Sequence, residues 1–119
     1  MYARDNVANA GDLQQRMPGG REVEAATEML RMLADATRLR LMWLLTEGES
    51  DVTALVAAVG MARPAVSQHL AKLRLTGLVS VRREGRRVLY RAKGGHVRRL
   101  VAEVMQAASH RVTGAPEHD

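Results

Sequence analysis

Not one of the 119 residues is cysteine, which excludes disulfides, thiolate metal centres and cysteine nucleophiles. Any metal has to be held by histidine, carboxylate or backbone oxygen. No stretch comes near the roughly 18 unbroken apolar residues of a membrane span, and no apolar block follows a basic start in the way a secretory signal requires. A soluble protein that stays in the cytoplasm, without a membrane partner, is expected. There is no glycine-rich phosphate loop and no grouping of Ser, His and carboxylate that suggests a triad, so an enzyme is not expected. Internal repeats and low-complexity tracts are also missing.

The length suits one hydrophobic core and is short for a second, catalytic domain. A net charge of +5 decides little by itself. Its distribution decides more. From Arg63 to Lys93 nine basic residues (Arg63, Lys72, Arg74, Arg82, Arg83, Arg86, Arg87, Arg91, Lys93) face Glu84 alone, whereas the rest of the chain carries nine basic against twelve acidic residues. A strongly basic third beside a mildly acidic remainder is the electrostatic footprint of a polyanion-binding face.

Residues 1–20, interrupted by Gly11, Pro18, Gly19 and Gly20, read as a mobile arm with room for a helical turn around Leu13. From Glu22 the spacing of Val23, Ala26, Leu30 and Leu33 predicts a helix. Asp35 is placed to cap a second helix, whose apolar Leu39, Leu41, Met42, Leu44 and Leu45 nearly encircle it and put it in the core; Gly48 stops it. Asp51 caps a short third helix ending at Gly60. Pro64 suits the first turn of a fourth, with Val66, Leu70, Leu73 and Leu75 as its apolar stripe up to Gly77. Beyond Gly77 the period becomes two, and Leu78, Val79, Val81 and Val88, Leu89, Tyr90 flank Glu84-Gly85 as a β-hairpin. Helical spacing returns from His96 with Val97, Leu100, Val101, Val104, Met105 and Ala108, and a flexible tail covers 113–119. The expected fold is mainly α with a β-hairpin, a winged helix-turn-helix of four helices, hairpin and fifth helix, in which 21–112 form a DNA-binding and dimerisation domain.

B-DNA's major groove admits one α-helix, so a reading helix must bury one face and offer hydrogen-bonding side chains on the other. The helix from Pro64 meets that requirement. Ser67 and Gln68 are candidates for base edges, Arg63 and Lys72 for phosphates, and the first-turn amides can also face phosphate. His69 fits either a DNA contact or a hydrogen-bonded structural place. Arg82, Arg83, Arg86 and Arg87 cluster around a tight turn and repel one another unless an anion sits there, which points to phosphate or minor-groove contact.

The runs LRMLADATRLRLMWLL (Leu30 to Leu45), ARPAVSQHLAKLRLTGLV (Ala62 to Val79) and VRREGRRVLYR (Val81 to Arg91) resemble the ArsR/SmtB family of bacterial metal-sensing repressors. That resemblance implies a homodimer built on the first and last helices, a two-fold-symmetric double-stranded operator, and loss of DNA binding when an effector is held. The apolar faces of Val23 to Leu33 and Val97 to Ala108, which a helix-turn-helix core cannot fully cover, point to the dimer independently.

Family members that sense arsenic or soft metals use cysteines on the third helix, where this chain has Asp51 and Thr53. Members that sense zinc, cobalt or nickel use a pattern on the last helix whose positions here are Gly94, His96, Ala107 and His110, so two of four ligands remain. His96 and His110 lie about 21 Å apart along a helix and on nearly one face. One chain cannot chelate through both, but antiparallel last helices in a dimer would bring His96 of one subunit to His110 of the other. Two imidazoles completed by water, with or without Glu103 or a tail carboxylate, suit nickel, zinc or cobalt as effector, with no metal needed for folding. His118 has no such partner. The competing readings are a regulator of the same fold with a non-metal effector or a regulatory partner protein, and an architectural binder without sequence preference.

Overall fold

The computed structural model describes residues 7–114. Its first element is a short helix, α1 (Ala10–Gln15), started by the Asn9 side chain, which accepts from the Asp12 amide at 2.8 Å. This is the turn expected around Leu13, drawn out to six residues. The helix read from Glu22 is α2 (Gly20–Leu33). Asp35 then starts α3 (Ala36–Glu47) by accepting from the Arg38 amide at 2.9 Å, and Gly48 ends it. Asp51 does the same for α4 (Val52–Val59) through the Ala54 amide, and Gly60 closes that helix at φ +68°, a conformation that costs a side-chain-bearing residue. A two-residue link leads to α5 (Arg63–Leu75), with Pro64 in its first turn.

The hairpin is β1 (Val79–Glu84) paired antiparallel with β2 (Arg87–Ala92) in the register Glu84↔Arg87 to Val79↔Ala92. That register leaves Gly85 and Arg86 as a two-residue turn, and Gly85 at φ +62° supplies the positive φ such turns demand. Ser50 adds a bridge to Tyr90, with both amides donating across it at 3.0 and 2.8 Å. The loop before α4 is thereby joined to the hairpin, a contact the period-two pattern does not disclose. The last helix is α6 (Gly94–Thr113), which starts two residues before His96 and runs through Thr113.

Leu41, Met42 and Leu45 of α3, Leu55 of α4, Val66, Leu70 and Leu73 of α5, Leu78 at the hairpin and Val101 of α6 are fully buried in one cluster. Each of these aliphatic side chains contributes roughly 1.5–3 kcal/mol by leaving water. One expected stripe position differs. Leu75 is 87% exposed, because two helical steps turn it some 200° away from buried Leu73. In α2 only Leu33 is buried, with Val23 and Leu30 open to solvent. Residues 115–119, including His118 and most of the expected tail, and residues 1–6 of the expected arm lie outside the described residues.

Candidate nucleic-acid interface

The helix-turn-helix presents α5 with its back to the core and its front to solvent. Val66, Leu70 and Leu73 are buried, whereas Arg63, Pro64, Ser67, Gln68 and Lys72 are exposed. Thr53 at the start of α4 accepts from Arg63 Nη2 at 2.7 Å and so steers that guanidinium while leaving other donors free. The amides of Ala65 and Val66 both donate to the Ala62 carbonyl, and Pro64 has no amide hydrogen. The amides of Ala65 and Val66 are thus already engaged within the chain.

His69 is half-buried and turned toward α3. Arg38 Nη1 lies 3.3 Å from its Nδ1, and since guanidinium only donates, Nδ1 is the acceptor. The Nε of the same arginine donates to the Met32 carbonyl at the end of α2, at 2.7 Å. Of the two readings open for His69, the geometry supports the structural one. Arg38 thus links α2, α3 and α5, a role that no spacing in the sequence announces.

In the wing the four arginines are not equivalent. Arg82 grips Glu49 with two donors, Nε at 2.7 Å and Nη2 at 2.8 Å, and reaches Glu84 at 3.2 Å. The hydrogen bond from Arg82 is the main cause that holds the Glu49 carboxyl below its ordinary range, and the pair in turn keeps the guanidinium firmly charged. Arg87 lies 3.5 Å from Asp51 and 4.0 Å from Glu84. Arg83 and Arg86 are exposed and make no ion pair among the described residues. The expected counter-charge was Glu84 alone; folding brings in Glu49 and Asp51 as well.

His96 stands exposed in the first turn of α6, with Nδ1 3.1 Å from Arg99 Nη2, and His110 is half-buried near the other end. Among the described residues no three groups of His or carboxylate come together to hold a metal. The basic surface continues past the wing: Arg91, Lys93 and Arg98 line a cavity of about 360 Å³ with Ser80 and the Gly94-Gly95 backbone.

A buried-back, polar-front helix following a short helix and a tight turn, with an arginine-bearing hairpin beside it, defines a winged helix-turn-helix DNA-binding protein. Residues 35–81 match the family described as bacterial regulatory protein, arsR family. The chain is 45% identical over 97 residues to the HTH-type transcriptional regulator KmtR of Mycobacterium tuberculosis, an alignment covering 82% of this chain and 75% of that one. It is 39% identical over 92 residues to the HTH-type transcriptional repressor SmtB of the same species, covering 76% and 68%. The solution NMR structure of the homodimeric winged helix-turn-helix DNA-binding domain of Mycobacterium bovis Mb0332 superposes with a TM-score of 0.74 at 33% identity, covering 87% of this chain and 99% of that one. The chain belongs to the ArsR family and is a transcriptional regulator. Among the described residues no helix is long and apolar enough to cross a membrane.

Proposed function

We propose that the protein is a cytoplasmic homodimer that binds a two-fold-symmetric operator, inserting α5 of each subunit into successive major grooves. The observation that carries this reading is the exposed set Arg63, Ser67, Gln68 and Lys72 on a helix whose other face buries Val66, Leu70 and Leu73. Ser67 and Gln68 read base edges, Arg63, Pro64 and Lys72 fit the helix against the backbone, and the wing arginines add charge at the flanks. Residues 21–112 make up the working domain, with 1–20 as arm and 113–119 as tail. Selection of bound sites from random duplexes tests it. Enriched sites should be palindromic with half-sites about 34 Å, one helical turn, apart; recovery of random sequence would make the protein an architectural binder.

As effector, a divalent ion such as nickel, zinc or cobalt fits best between subunits, since among the described residues of one chain no three His or carboxylate groups come together to hold it. His96 of one α6 and His110 of the other are the ligands this reading uses. Arg99, 3.1 Å from Nδ1, sets positive charge beside His96, which weighs against a cation there. That favours the second reading, in which a non-metal effector or a regulatory partner protein does the switching. Calorimetric titration with nickel and zinc separates them: binding that disappears in His96→Ala and His110→Ala supports the metal, and no binding supports the second reading.

A further inference from the structure

The short α1 has no packing of its own. None of its residues is buried, and Leu13 and Met17, one turn apart, are 52% and 67% exposed. A six-residue helix does not persist in water on its own propensity, because the cost of the first turn is recovered only over about 12–15 residues or through tertiary contacts. Nor does α2 bring it to the body, since every residue from Gly20 to Glu28 is exposed and the chain extends to 62 Å. Its radius of gyration, 18.5 Å, exceeds the roughly 13–14 Å of a compact domain of this length.

The body in turn has an apolar groove with nothing in it from the described residues. It measures about 500 Å³ and is lined by Leu39, Trp43 and Leu44 of α3, Val59 of α4 and Met105 of α6, with Arg40 at its edge. Trp43 is 39% exposed there, a large apolar surface for a monomer to leave wet. Met105 follows Val104 on α6, so the groove is continuous with the apolar face assigned above to the dimer. Arg40 and Asp12 make no ion pair among the described residues.

We propose that α1 is an exchanged arm: Leu13 and Met17 of one subunit seat in the α3–α4–α6 groove of the second copy, with Asp12 against Arg40. Each half of the contact supplies what the other lacks, apolar side chains for an apolar groove and a carboxylate for a guanidinium. The arm then fixes the partner's α3, which lies directly behind its α5, so the seat bears on how the reading helices are held. The inference rests on the dimer of the proposed function.

The test uses the full chain and its freedom from cysteine. Gln14→Cys protein mixed with Ala58→Cys protein and a short bismaleimide should give a covalent dimer, and Leu13→Glu with Met17→Glu in the first partner should abolish it. Trp43 is the sole tryptophan, so the same two substitutions should shift its emission to the red and expose it to quencher while sedimentation still reports a dimer. A wild-type monomer by sedimentation overturns the dimer itself. A wild-type dimer without the cross-link and with unmoved Trp43 emission overturns the arm alone, whether the groove is empty or holds a small apolar ligand. A chain carrying both cysteines that cross-links internally when diluted into excess wild type places the arm in its own groove and overturns the exchange.

Discussion

Arg82 of the wing donates through Nε and Nη2 to the two carboxylate oxygens of Glu49, at 2.7 and 2.8 Å, across 33 residues of sequence. With the Ser50–Tyr90 bridge beside it, this pair ties the hairpin to the loop before α4. The wing is consequently a fixed lever on the helix-turn-helix, and part of its positive charge is already answered within the chain. Of the four arginines around the turn, Arg83 and Arg86 make no ion pair among the described residues and remain wholly available to an outside anion.

This division predicts unequal effects on DNA affinity. Arg83→Ala and Arg86→Ala should each lower the slope of log K against log salt by about one, because each removes a phosphate neutralised from solution. Arg82→Ala should lower it by less, since Glu49 is released as the arginine goes. Anisotropy titrations at several salt concentrations measure the three slopes; a loss for Arg82→Ala as large as for Arg86→Ala would show that DNA displaces Glu49.

Along α5 the expected contrast is between reading and anchoring. Gln68→Ala should cost about 1–3 kcal/mol on the selected operator and leave affinity for random duplex nearly unchanged, as expected for a base-edge contact. Lys72→Ala should weaken both by similar factors. Equal losses on both DNAs for Gln68→Ala would move that side chain from the bases to the backbone.

Most of this interface is legible in the sequence because it is local. Asp35, Asp51 and Pro64 mark helix starts, Gly60 and Gly85 mark turns, and the basic excess from Arg63 to Lys93 marks the face. What escapes is long-range. Glu49 with Arg82 and Arg38 with His69 are pairs separated by 33 and 31 residues, and no periodicity connects them. Leu75 escapes for the opposite reason: an apolar residue at a helix end extends a stripe on paper, while the 100° step carries it round to solvent.

His69→Ala is expected to lower stability by about 1 kcal/mol, the usual net worth of a hydrogen bond whose loss also leaves a partly buried guanidinium donor unmet. Arg38→Ala should cost more, because the link to the Met32 carbonyl goes with it. Neither should change the salt slope, as neither side chain is a phosphate ligand in this arrangement. Denaturant titration paired with DNA binding checks both; a slope reduced in His69→Ala with unchanged stability would reinstate His69 as a DNA contact.

The pH dependence of folding follows from Asp35 and Glu49. Asp35 is held below its ordinary 3.8, first by the hydrogen bond from the Arg38 amide, and Glu49 below its ordinary 4.5, first by the hydrogen bond from Arg82. A carboxyl whose folded pKa is depressed binds its proton more readily when unfolded, so its contribution is fully present above the ordinary value and is lost as pH falls through the depressed one. Stability should therefore be flat with respect to these groups down to about pH 5 and decline below it, over the acid range where both protonate. Asp35→Asn separates charge from capping: asparagine caps about as well as aspartate, whereas alanine costs about 0.5–2 kcal/mol. The asparagine variant should keep neutral-pH stability near wild type and show a shallower acid limb, and Glu49→Gln should flatten it further while freeing Arg82. Urea midpoints at pH 7, 5 and 3 measure the effect, and an acid limb unchanged in the double variant would assign it to other carboxylates.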